Sequence, residues 1–398
     1  MRTSLAAFLL LLLLTAPARA AVSYFIDYTN GCNLATGTTN ATCAPCVAHC
    51  AGTWKTPPGT YCPGSATLTS GGANNKCTQQ DTGGTEWTGA AFKATDTIFL
   101  TAGQSYPILW WANSNHFDTT ATSAINIRRT GAGADPIIEG GDLITNLPEV
   151  GTWGYTNGWK QEDAVNNIYS FRFCTSATAP CTYDRTFYGC FAGGSATGEQ
   201  PQVLRSKAGV DGGQYDRMGF GGDALSGYST GKTCVSTSLT APWMLAYDCT
   251  GNRICVRTDG SDPRSDGSFW KVGWRAYGLL ISSVPHVNIQ NVQFQDSDLV
   301  LQNQALGGEI AFDNSGAPPS NTTVNQVTIT NSGAAGIDFY LSATTSNALN
   351  VVVTNSTVTR SYAYGFSGNN VDASVAQNWS VDHSTFSYNG DHGISLGS

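Results

Sequence analysis

Asp338, Asp372, Asp391 and His392 combine the side chains that acid–base catalysis needs with a spacing that could bring them to one wall of a repeating structure. Asp338 and Asp391 fall two repeat units apart, Asp372 lies on the stretch between them, and His383 is a neighbour. Parallel strands stack at ~4.8 Å, so carboxylates one unit apart would sit near the roughly 5–5.5 Å of a retaining glycosidase. Two units give roughly 9.6 Å, at the upper edge of the inverting range. Such a set could act as general acid, base or nucleophile. Asp338 and Asp391 also suit Asx caps of turns, a structural role that Asp fills routinely.

A second acidic group, Asp296, Asp298, Glu309 and Asp313, spans about one repeat. Oxygen ligands from successive strands suit Ca2+, so a calcium site is expected there if a cofactor is used at all; hydrolysis itself requires none. Elimination would need a Lys or Arg base, and beyond Arg275 only Arg360 is present, which favours hydrolysis. Asp259, Asp262 and Asp266 sit in a Gly-, Ser- and Pro-containing stretch that reads as a solvated turn. Trp110, Trp111, Trp270 and Trp274 are candidate platforms for the apolar face of a sugar, with packing in the interior as the alternative. No phosphate loop, His-Glu-x-x-His or Gly-x-Ser-x-Gly motif occurs.

The elements that must position these groups are short strands. Val287–Phe294, Val324–Thr330, Val351–Val358 and Trp379–Phe386 alternate apolar and polar residues, and each precedes a small-residue turn and a second strand. The second strands align on Ile310, Ile337, Phe366 and Ile394. A glycine precedes the last three, Gly336, Gly365 and Gly393, whereas Glu309 stands in that column first. A period in the twenties with strict alternation marks a stacked β repeat rather than a helix pair. Leucine-rich repeats lack their Leu spacing here, and a β-sandwich would need hairpin turns every 8–12 residues or so. Asn291, Asn331, Asn355 and Asn389 suit the Asn and Ser ladders that such repeats stack at their turns. The expected class is all-β: a right-handed parallel β-helix with a disulfide-rich N-terminal region and an insertion before the main rungs.

Arg2, the apolar run Leu9–Leu14 and Ala18-Arg19-Ala20 form a secretory signal peptide, with an uncleaved anchor as the alternative. The expected divisions are 1–20 signal peptide, 21–95 cysteine-rich cap region, 96–278 early rungs with the insertion, and 279–398 main rungs. The 12 cysteines agree with export to an oxidising compartment, extracellular or periplasmic. Cys43, Cys46 and Cys50 have a spacing that zinc could use, but disulfides compete for the same thiolates. Charged residues are 12% of the chain and the net charge is −8 without a basic stripe, so neither nucleic acid nor an anionic membrane is an expected partner. A polysaccharide substrate and a monomeric state are expected.

The layout resembles that of secreted right-handed β-helix proteins of the pectin-lyase-like group, many of them carbohydrate-active. Ser23–Gly31 resembles their opening strand and glycine turn, and Phe92–Leu100 their path into the first rung, with Thr95 where Gly is common. Ile125–Gly141 is similar to the early rung with a Pro-Ile pair, and Trp243–Asp248 with Asn252–Arg257 to strands of the insertion. The resemblance implies the fold and a glycoside hydrolase or polysaccharide lyase activity; a non-catalytic carbohydrate-binding or adhesive protein shares it too. Gly390–Ser398 resembles the His-containing segment of the polygalacturonase family, with Asp391 inserted before His392, although the Asp-Asp pair of that family is absent and Val371-Asp372-Ala373 stands near its place. The strand Gly393–Leu396 closes the sequence with no cap after it, so further rungs are expected beyond Ser398.

Overall fold

The structure is a computed structural model that describes residues 20–32, 38–42, 53–57, 60–61, 80–81, 85–86, 92–112, 116–144, 158–171, 202–207, 216–217, 219–220, 234–237, 239–248, 253–273, 277–297, 308–313, 320–341, 349–371 and 377–396. The signal segment, Cys43, Cys46, Cys50, Trp274, Asp298 and Asp372 lie outside the described residues.

Among the described residues every regular element is a strand. Three mainly parallel sheets, here A, B and C, are visited in that order on each pass of the chain. One pass runs Val287–Gln290 in A, Gln293–Gln295 in B and Gly308–Asp313 in C. The next runs Thr322–Asn325, Thr328–Thr330 and Ala335–Leu341, and two further passes follow. The expected alignment of Ile310, Ile337, Phe366 and Ile394 is the observed register of sheet C.

Alternation builds the core. Ile289, Val324, Phe294, Ile329, Phe312 and Phe339 are 0–1% exposed and pack between the sheets, while their sequence neighbours face away. Phe339 lies flat on Phe312 at 4.2 Å between ring centres and meets Phe366 and Trp379 at 5.7 and 5.0 Å. The turn asparagines fall into two columns. Asn291 and Asn355 share the A–B turn with Gln326 and His383, while Asn331 shares the B–C turn with Asp296, Arg360 and Tyr388; all have positive φ. Asn389 belongs to the second turn, where its side chain accepts from the Ser361 amide at 3.0 Å.

One pass is interrupted. Ile125–Thr130 (sheet A) and Ile137–Glu139 (sheet B) are followed by an antiparallel insertion before Tyr277–Ser282 enters sheet C. The insertion carries two sheets with their own core around Trp159, Phe171, Val203, Ile254 and Trp270, and the Cys234–Cys255 disulfide. Its first strand, Gly141–Ile144, pairs with its last, Ser268–Gly273, so that Gly141 lies opposite Gly273.

Candidate functional site

Two groups of carboxylates flank the B–C corner where the insertion leaves. The first lies in the corner itself. Lys271, on the last insertion strand, donates to Glu139 Oε2 at 3.0 Å and to Asp296 Oδ2 at 2.8 Å. Gln295 Nε2 also donates to Glu139, and Asn331 Nδ2 to Asp296 at 2.9 Å. Gln202 Nε2, from the insertion, donates to the carbonyls of Ser297 and Asn331. The fit is close. A β-carbon on Gly140 would lie 2.6 Å from Ser297 Cα, so glycine is needed where the chain passes the turn.

Glu309 approaches the same corner in the column that holds Gly278, Gly336, Gly365 and Gly393 on other passes. A β-carbon at Gly278 would meet Glu309 Oε2 at 3.0 Å and the Phe294 ring at 2.9 Å, which places the carboxyl against the core. Its Oε1 accepts from the Ser297 amide at 2.7 Å, and Oε2 has no hydrogen-bond partner. Burial, with the charge of Asp296 adding to it against the Ser297 hydrogen bond, raises its pKa well above the usual carboxylate range. Burial likewise lifts Glu139 to about 7, helped by Asp296 and opposed by Lys271. Burial disfavours the Lys271 charge, but Asp296 and Glu139 outweigh it and raise its pKa, so this lysine holds its proton.

A measurable pH dependence follows. Glu139 binds more protons folded than unfolded, so its contribution to stability is complete below the unfolded value near 4.5 and is lost as pH rises through about 7. Relative to Glu139→Gln, the wild type should lose about 3 kcal/mol between pH 4.5 and pH 8 in chemical denaturation. A parallel pH profile for the two proteins would contradict the assignment.

The second group lies on the outer face of sheet C. Asp338 lies between Ile337 and Phe339, both 0% exposed and in the core, and therefore faces away from it. It stands in the lateral column Trp111, Leu280, Ala311, Asp338, Ser367. Asp313, two residues beyond Ala311, lies on that face one strand away from Asp338, opposite Tyr340. One strand spacing and two residues along the strand separate their Cα atoms by about 8 Å. Asp313 is half-buried, Asp338 5% exposed, and Ser282 Oγ donates to Asp313 at 3.4 Å. Leu109, Tyr277, Leu280 and Ala311, with Trp111 against them, form an apolar stretch on this wall. Sequence reasoning placed Asp313 with a metal and did not pair it with Asp338; the shared parity about Phe312 and Ile337 was the available signal.

Other expected site residues are placed differently. Asp391 and His392 pair with each other at 2.8 Å, both largely exposed. Asp391 lines up through backbone hydrogen bonds with Ala363 and Ala334, two passes and four residues away from Asp338, so the three do not form one site. Trp110 and Trp270 are corrected from platforms to core residues, each 0% exposed, because their strand positions point between sheets; Trp111 alone of the described pair faces the outer wall. The described members of the calcium set, Asp296, Glu309 and Asp313, do not converge either. Lys271 Nζ occupies the front of Asp296, Glu309 is enclosed, and Asp313 lies on the wall. Among the described residues no three His, Cys, Asp or Glu side chains are arranged to hold a metal ion. Sequence reasoning does not single out Lys271, although a charge inside the apolar run Phe269-Trp270-Lys271-Val272 is a signal for it.

No family model matches the chain, and no curated protein matches it. Among solved structures it is similar to a glycoside hydrolase (9% identity, TM-score 0.34, covering 69% of this chain and 60% of that one). It is also similar to XylC in complex with xylose (9%, TM-score 0.37, 77% and 59%). A third is a GH136 lacto-N-biosidase from Eubacterium ramulus (9%, TM-score 0.27, 98% and 59%). The chain spans about six-tenths of the length of each.

Proposed function

We propose that the protein is a secreted glycoside hydrolase on a right-handed parallel β-helix, cleaving a polysaccharide laid along the outer face of sheet C. The observation that carries this reading is the pair Asp313 and Asp338 on one outer face of adjacent strands, about 8 Å apart by strand geometry. Carboxyl groups carried on Cα atoms that far apart on one face can reach the separation of inverting enzymes, where one carboxyl protonates the leaving oxygen and the other activates water on the opposite face of the sugar. Asp338, the more enclosed, suits the acid; Asp313, the more open, suits the base. Leu109, Leu280 and Ala311 on this wall are themselves buried, so stacking surface for a flanking sugar falls to the half-buried Trp111.

The corner group serves as support rather than chemistry. Asp296 and Glu139 are committed to Lys271, and Glu309 is 0% exposed. A lysine with a raised pKa is a poor base, which disfavours elimination at the corner. In a polysaccharide panel, reducing ends should appear without unsaturated products. Asp338→Asn and Asp313→Asn should each lower turnover by about a hundredfold or more while the folded state persists. Unsaturated products would instead indicate a lyase, and binding without turnover a carbohydrate-binding protein.

A further inference from the structure

Sheet A presents a second outer face, remote in the fold from the Asp313–Asp338 wall. Phe25, Phe99, Arg128, Gln290, Asn325, Thr354 and Asp382 stand in one lateral column across seven strands. Each of the first six adjoins a core residue of its strand, Ile26, Ile98, Ile127, Ile289, Val324 and Val353, so the column faces outward. Phe25 and Phe99 are only half-buried there, stacked at 5.2 Å with rings 14° apart, and the exposed Arg128 lies 5.0 Å over Phe99. Beside it runs a second column of Thr97, Asn126, Asn288, Thr323, Val352 and Ser380. Asn288 donates to Asn126 at 3.0 Å, and the turn residue Asn355 to Asn325 at 3.1 Å, which fixes these amides in place.

We infer that this face is a binding track for an uncharged, extended polysaccharide, separate from the cleavage site. Phe99 is covered by Phe25 on one side and Arg128 on the other, so the apolar face of a sugar ring is taken by Phe25 at the end of the stack. The ordered amides keep donor and acceptor capacity for hydroxyls, since each uses only part of its four hydrogen-bonding positions. Between Arg128 and Asp382 neither column carries an ionised side chain, so the face offers nothing to draw a polyanion along its length. Seven strands at ~4.8 Å make a track of about 29 Å, whose repeat is close to that of an extended sugar chain. The track holds the polymer, and the inference stands whether or not sheet C performs hydrolysis.

The test uses the full chain carrying Asp338→Asn, so that turnover plays no part. Depletion by insoluble cellulose and affinity for a soluble neutral β-glucan are compared with those for polygalacturonate. Retention on a neutral polymer is expected, weakened about tenfold by Phe25→Ser with Phe99→Ser. Gln290→Ala with Asn288→Ala, outward and away from the aromatic pair, should weaken it too without altering thermal unfolding. Binding to polygalacturonate alone, equal retention of wild type and both variants, or no retention of wild type would each overturn the proposal. Loss of reducing-end production by the active chain bears only on the hydrolase reading.

Discussion

Lys271→Met should lower stability by about 3–5 kcal/mol in chemical denaturation at neutral pH. The ammonium is the shared partner of Glu139 and Asp296, whose side chains are 10% and 1% exposed. Without it Asp296 keeps Asn331, and Glu139 keeps Gln295 and the Gly141 amide, but neither retains a countercharge in these contacts. The cost is chiefly that of one enclosed carboxylate, Asp296, because Glu139, raised to about 7 even beside the ammonium, takes up a proton once that cation is gone. This is not a surface ion pair, so salt should change the cost little. Adding Glu139→Gln and Asp296→Asn to Lys271→Met should recover most of the loss, since both carboxyls then disappear with their partner. A single-variant cost below about 1 kcal/mol, or a triple variant no better than the single, would show that the corner is not electrostatically closed.

Phe339→Ala should cost a similar 3–5 kcal/mol. Phe339 is 0% exposed and touches aromatic rings on both neighbouring passes, Phe312 at 4.2 Å and Phe366 at 5.7 Å, with Trp379 at 5.0 Å across the interior. Truncation removes the middle of a stack, leaving a cavity that strands held in register on both sides cannot collapse to fill. Phe339→Leu keeps most of the volume and should cost under about 1.5 kcal/mol. Similar denaturation midpoints for the alanine and leucine variants would mean that the stack contributes little beyond hydrophobicity.

The repeat was legible because it is local. Alternation within Val287–Phe294 and its successors, and the spacing of Ile310, Ile337, Phe366 and Ile394, correspond directly to strands and to register. The strand-facing half of the site was legible for the same reason: parity alone turns Asp338 and Asp313 outward. What sequence could not supply was contact across long separations. Lys271 reaches Glu139 over 132 positions and Gln202 reaches Asn331 over 129, through an insertion whose path no periodicity encodes. Trp110 misled for a related reason. A Trp-Trp pair in a strand must send one ring to each side, and composition does not say which one stacks inside.

Because Gly141 and Gly273 lie opposite each other, the insertion leaves and rejoins at a single point. It is a branch on the trunk rather than a length of it. Its removal would leave the order of strands in sheets A and B unbroken, while Asp296 would lose Lys271 and the Ser297 and Asn331 carbonyls would lose Gln202. The branch therefore behaves as a graft whose union is polar and whose wood is apolar. A different graft could occupy this point only if it brought a buried cation and an amide of its own.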